Sequence, residues 1–107
     1  LYLLLVIVVD ILLYTTGDVI VYEGGSALLS CNYTTKSENI YLFWYRQLPN
    51  QAPEYLLYKG ARTYSRYEGN TNARFNCTTS RDTTQLTISS LTIADTAIYY
   101  CALRDAQ

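Results

Sequence analysis

Two cysteines and a tryptophan constrain this chain more than anything else in it. Cys31 and Cys101 lie 70 positions apart, and Trp44 follows the first by thirteen. In a sandwich of two β-sheets, that spacing lets a disulfide cross between the layers and pack on the indole. Closing so long a loop stabilises the folded state by roughly 4 kcal/mol in the chain-entropy model. The bond also requires an oxidising compartment. The third cysteine, Cys77, shares the parity of Phe75 and reads as a small buried thiol, with a reactive or intermolecular thiol as the sharper alternative.

The rest of the pattern agrees with an all-β sandwich of the Greek-key kind. With 107 residues, the chain suits one domain. Short strands are expected at 19–22, 26–33, 40–47, 54–59, 73–78, 84–89 and 97–104, divided by turn residues. Strand side chains alternate, so Leu42, Trp44 and Arg46 share one face while Tyr41, Phe43, Tyr45 and Gln47 share the other. Leu29, Trp44, Phe75, Leu86 and Tyr99 are the expected core. The segment 60–72 reads as polar and irregular, and 90–96 as a crossing connection with one tight helical turn.

The first fourteen residues are nearly all apolar, broken by Asp10. That run is short for a membrane span of about 20 residues, and a charge near its centre is costly. Two readings stay open. It is a secretory signal core ending near Gly17, so that residues 1–17 precede a domain at 18–107, or it is a buried first strand. Serving as a membrane anchor is a third use of the same residues.

Composition removes several functions. There is no histidine, hence neither the commonest general base nor the commonest metal ligand. No CxxC pair suggests zinc, and no catalytic constellation stands out, so neither enzyme activity nor a cofactor is expected. A net charge of -1 with scattered cations gives no footprint for nucleic acid. Twelve tyrosines instead suit half-buried strands and contact-making loops.

The run Asp95-Thr96-Ala97-Ile98-Tyr99-Tyr100-Cys101 resembles the end of the third framework of antibody and T-cell receptor variable domains. Trp44-Tyr45-Arg46-Gln47, Pro53-Glu54-Tyr55-Leu56-Leu57-Tyr58 and Cys101-Ala102-Leu103-Arg104 are similar to segments of T-cell receptor alpha or delta variable chains. The resemblance spans about 17–104. It implies an immunoglobulin V-type sandwich, with Tyr99 as a tyrosine corner and Arg74 paired with Asp95.

It further implies pairing with a second variable domain, of beta or gamma chain type, through Tyr45, Gln47, Pro53 and Tyr100. Three loops would meet a peptide–MHC complex or similar antigen through Lys36, Ser37, Glu38, Asn39, Tyr41, Arg62, Tyr64, Arg66, Leu103 and Arg104. The protein would reach the cell surface by the secretory pathway and hold to the membrane only through regions downstream of this sequence. Asn32 and Asn76 head two N-x-T triplets that can carry glycans if exposed. An innate immune-type receptor, co-receptor or adhesion molecule is the rival with the same fold. Two departures from the family pattern are visible: a short first strand, and no FGxG-type segment after Arg104. The final strand is thus expected to be missing, with one sheet edge left unpaired.

Overall fold

The computed structural model describes residues 2–9, 13–14, 19–70 and 72–105, with side chains from Tyr22 onward. Two sheets form a sandwich. The larger runs β3 (Val19–Tyr22), β1 (Tyr2–Val9), β10 (Ala97–Asp105), β5 (Asn39–Gln47), β6 (Glu54–Arg62), β7 (Glu68–Asn70). The smaller runs β2 (Leu13–Tyr14), β4 (Ala27–Tyr33), β9 (Thr83–Ile88), β8 (Phe75–Thr79). Alternation explains the layers: β4 and β9 each bury every second residue, and β5 buries Ile40, Leu42 and Trp44.

The core joins both inner faces. Leu29, Trp44, Leu86 and Tyr99 are wholly buried and Phe75 is nearly so. Cys31 on β4 and Cys101 on β10 are bonded, with Cα atoms 6.7 Å apart. Cys101 stands directly opposite Trp44 in one sheet, and Cys31 directly opposite Thr84 in the other. The indole Nε1 of Trp44 donates to the Thr84 hydroxyl at 3.3 Å. A covalent and a polar bridge therefore cross the sandwich side by side. Thr84 is fully buried, and its hydroxyl donates in turn to the Thr78 carbonyl at 3.4 Å, so no polar atom there is orphaned. Cys77 is half-buried, with its sulfur 3.4 Å from the same hydroxyl. Burial pushes its thiol pKa up, against the hydrogen bond to Thr84.

One end of the sandwich is tied by charge. Asp95 closes a single 3-10 turn, Ile93–Asp95, and is 2% exposed. Its carboxylate accepts from both terminal nitrogens of Arg74 at 3.0 Å, from Arg46 at 3.0 Å and from the Thr92 amide at 2.9 Å. Both guanidinium groups lie over the Phe75 ring. The Tyr99 hydroxyl donates to the Asp95 carbonyl at 2.7 Å, which fixes the turn against β10. Burial alone would raise the Asp95 pKa. The hydrogen bonds from Arg74, Thr92 and Arg46 outweigh it and hold the group at about 2.

Three features differ from the sequence reading. First, the stretch 60–72 is less irregular than expected. Strand β6 continues to Arg62, and β7 pairs with it at Leu57, Tyr58 and Lys59. Gly60 makes the continuation possible, since a Cβ there would sit 2.1 Å from the Tyr64 carbonyl oxygen. Second, the register of β5 on β6 shifts between Trp44 and Tyr45, which lets consecutive Leu56 and Leu57 both turn inward. Third, the edge of β10 expected to be open is covered. Strand β1 pairs parallel with 97–101 of β10 and antiparallel with β3. The boundary at 17/18 and Asp10 lie outside the described residues.

Replacing Thr84 by Val should strand the buried indole N–H and cost about 1–3 kcal/mol in urea denaturation, while Thr84→Ser should recover most of it. Asp95 is held below the ~3.9 of an unfolded aspartate. Its contribution is therefore complete above about pH 4 and lost as pH falls toward 2. Calorimetry should show the melting temperature dropping through that window. In Asp95→Asn the drop should shrink, at a cost near neutrality of about 3 kcal/mol.

Candidate functional site

The outward-facing residues of β5 are Tyr41, Phe43, Tyr45 and Gln47, none of them buried. Their cross-strand neighbours extend the row sideways. Tyr58 and Tyr55 on β6 stand opposite Phe43 and Tyr45, and Arg104 and Tyr100 on β10 stand opposite Tyr41 and Tyr45. Ring centroids run on from one another: Tyr45 to Tyr55 at 5.9 Å, Phe43 to Tyr58 at 5.9 Å, Tyr41 to Tyr58 at 5.6 Å and Tyr41 to Tyr64 at 5.2 Å, with Tyr67 5.1 Å beyond Tyr64. Edge-to-face and tilted contacts of this kind add to burial. The result is one aromatic surface across the outer face of the larger sheet, reaching from its middle to the loop end. Burial among these rings raises the phenol pKa of Tyr41, with smaller contributions from Tyr64 and Tyr58.

Below this patch, Tyr100 donates to the Gln47 side-chain oxygen at 2.9 Å, and the Gln47 amide donates to the Gln51 carbonyl at 3.0 Å. Gln47 is thereby held flat on the sheet with one donor and one acceptor position still available. Pro53 is exposed.

The loop residues divide into those that present themselves outward and those that hold the loops. Lys36 and Arg66 are exposed; the Arg66 guanidinium lies over Tyr67 and bonds its hydroxyl. Arg104 is exposed and lies 5.9 Å over the Tyr41 ring. Glu38 pairs with Arg81 at 2.8 Å. Ser37 bonds Asp105 at 2.9 Å, which ties the first loop to β10, and Asn39 accepts from the Thr63 hydroxyl, which ties it to the second.

Two residues expected among the antigen contacts sit elsewhere. Leu103 lies directly opposite Leu42 and packs partly buried against the core, because β10 alternation turns it inward. Arg62 is a clamp. Its side chain is 4% exposed. The guanidinium donates to the carbonyls of Thr35 and Ser37, each at 2.7 Å, and of Arg81 at 2.8 Å, and it lies over the buried Tyr33 ring. The backbone of Arg62 has φ 59, a conformation that costs an L-residue roughly 1–2 kcal/mol. Those side-chain bonds offset that cost, and in doing so fix the first loop to the β8–β9 turn.

Alternation also signals a residue that the sequence reading left without a role. Arg46 has the inward parity of Trp44, and an inward cation demands an acid, here Asp95. The prominence of Phe43, Tyr55 and Tyr58 follows only from cross-strand register. On the opposite outer face, Asn32 and Asn76 are both exposed, and Asn32 accepts from Thr83 at 2.9 Å. Among the described residues no cluster of acids and cysteines could hold a metal ion. No helix among them is long and apolar enough to cross a membrane.

The profile of the immunoglobulin V-set domain matches residues 14–107. The human protein named T cell receptor alpha variable 26-1 is 39% identical over 82 residues, covering 77% of this chain and 72% of that one. A rabbit (Oryctolagus cuniculus) T-cell receptor alpha chain V region, RL-5, is 40% identical over 91 residues. The match takes in 84% of this chain and 65% of that one, so the chain spans a little under two thirds of it. The rabbit Ig kappa chain V region K-25 is 37% identical over 89 residues, covering 81% and 76%.

The clamp generates a direct test. Arg62→Ala should destabilise the domain and speed amide exchange in residues 34–38. Arg62→Gly, which relieves the left-handed backbone, should be more stable than the alanine variant by about 1 kcal/mol in denaturant titration, with the first loop equally loosened.

Proposed function

Because this chain belongs to the immunoglobulin V-set family, we propose that it is the antigen-recognition variable domain of a T-cell receptor alpha- or delta-like chain. It pairs with a second variable domain and binds its target without covalent chemistry. The observation that carries this reading is the aromatic surface of the larger sheet. Tyr45, Tyr55, Tyr58 and Phe43 lie side by side there, with Tyr55 50% exposed. A contiguous apolar patch on a soluble domain marks a partner surface, and tyrosine is enriched where interfaces draw most of their energy. Covering this patch with a second domain would bury about 800 Å2 on each side, the ordinary size for a stable pair.

In the same reading the partner is of beta or gamma type, with Gln47 meeting a polar side chain across the interface. The loops at the end of this face take the antigen: a peptide–MHC complex or a related ligand. Lys36, Arg66 and Arg104 supply the exposed contacts with half-buried Tyr64 among them, and Arg62 sets loop shape from beneath. Rigid tyrosines combined with serine and asparagine suit that task, giving contact area at low entropic cost. The domain works outside the cell. Its disulfide suits the oxidising secretory route, and glycans attach at Asn32 and Asn76 on the face away from the partner. The apolar run near the start belongs to the domain itself, as the strand β1 that pairs with β10, and membrane attachment is supplied by sequence beyond this domain.

Mixing the chain with soluble beta-type and gamma-type variable domains and following sedimentation tests the central claim. A 1:1 complex should form with one type. Tyr45→Ala should weaken it by about 2 kcal/mol, roughly thirtyfold, while Leu28→Ala on the opposite face leaves it unchanged. A chain that stays monomeric with both types would overturn the pairing.

A further inference from the structure

The chain holds eight lysines and arginines, and their partners single out one of them. Arg46 and Arg74 meet Asp95, and Arg46 also meets Glu54; Lys59 meets Glu68, Arg62 meets Asp82 and Arg81 meets Glu38. Among the described residues, Lys36, Arg66 and Arg104 have no carboxylate within pairing distance. Lys36 is an exposed loop cation, and Arg66 spends a donor on the Tyr67 hydroxyl. Arg104 lines a cavity. Together with Tyr41, Phe43 and Tyr58 it encloses an open cleft of about 260 Å3, several times a water's share of about 30 Å3.

The cleft is built in a particular way. Three of its four walls are aromatic rings within 5.6–6.3 Å of one another. Arg104 stacks its guanidinium over Tyr41, directly across the strand pair, so its plane is oriented while its N–H groups remain available. A guanidinium presented in this way matches a carboxylate through two parallel hydrogen bonds. The surrounding rings exclude water from one side, which strengthens the attraction relative to open solvent.

The cleft is also not a separate surface. Tyr41 and Phe43 continue the same alternating row as Tyr45 and Gln47 on β5, and Arg104 continues the row of Tyr100 on β10. A domain packed on Tyr45 and Tyr100 therefore lies over the cleft's lower rim.

We propose that the Tyr41–Phe43–Tyr58–Arg104 cleft is a carboxylate subsite that takes one aspartate or glutamate side chain from the domain packed on this face, and so selects among partners by charge. The occupant rests on the pairing reading above; the carboxylate preference rests on the cleft itself. A wrong partner bearing a lysine or arginine there would face an unpaired like charge, which costs affinity as surely as the acid adds it.

The test separates the two parts. The full chain, isotopically labelled, is titrated with N-acetyl-glutamate methylamide and, separately, with its glutamine analogue. Saturable NMR shifts are expected at the Arg104 Nε–H and at the rings of Tyr41, Phe43 and Tyr58, about tenfold weaker with glutamine. They should weaken in high salt. Arg104→Gln should abolish the glutamate preference and Arg104→Lys retain part of it, whereas Arg66→Gln should leave it intact. Near-UV circular dichroism checks that each variant is folded. Equal binding of glutamate and glutamine, shifts centred on Lys36 or Arg66, or no saturable shift would overturn the subsite. Glutamate binding by a chain that pairs with no variable domain would leave the subsite standing and remove its proposed occupant.

Discussion

The bond between Cys31 and Cys101 does more than close a long loop, because each half-cystine is locked to a particular cross-strand neighbour. Cys101 fixes Trp44 on one sheet and Cys31 fixes Thr84 on the other, and the indole N–H then reaches the threonine hydroxyl across the gap. Two bridges at the same height set both the spacing of the layers and the parity of β5 and β10. A one-residue slip of β5 would put the aromatic row inside and Trp44 in water, so register and surface chemistry are a single decision. Which residues face outward, the tyrosines among them, is set by the face that receives the tryptophan.

The two ends of the sandwich solve a shared problem with different chemistry. Both bring arginine into low-exposure surroundings, which is tolerable only when its donors are met. At the Asp95 end the answer is a carboxylate shared by Arg46 and Arg74, each stacked on Phe75. At the loop end Arg62 finds mostly backbone carbonyls, with Asp82 at the margin. An ion pair titrates and a set of carbonyls does not. The framework end, with its buried carboxylate, is therefore the more acid-sensitive one, while the hold of Arg62 on the backbone of the first loop does not titrate, although the exposed Glu38–Arg81 pair does. A surface whose shape is to be read by another molecule benefits from that separation.

Much of this was legible in the sequence, for identifiable reasons. The sandwich and the bonded cysteines rest on spacing and alternation, and the Arg74–Asp95 pair on the resemblance to variable domains. What escaped depends on relations between strands. The extension of β6 past Gly60 and the three-residue β7 carry too few side chains to leave a periodic signal. Arg62 looks like any loop cation until its positive φ and its carbonyl partners are seen together. Leu103 follows parity that could have been read from Cys101 outward, since residues two apart share a face. The pairing of β1 beside β10 has no local signature at all, because a wholly apolar run fits a leader and a buried strand equally well.

The aromatic row does not stop at the sheet but runs on from Tyr41 to Tyr64 and Tyr67 in the loop after β6. Seven rings, Tyr41, Phe43, Tyr45, Tyr55, Tyr58, Tyr64 and Tyr67, form a connected set in which each member is stabilised by its neighbours before anything binds. Rings packed against one another in this way have less rotamer freedom to lose, and an association that covers them gives up less entropy. The same rigidity limits adaptation, since neither Tyr41 nor Phe43 can turn aside without disturbing the cluster. Selectivity must then come from groups at the margin that retain choice. Arg104 is such a group, on a strand whose next residue, Asp105, already binds the first loop through Ser37. The proposed cleft and the first loop are thus held by adjacent residues of one strand, Arg104 at the cleft and Asp105 on the loop.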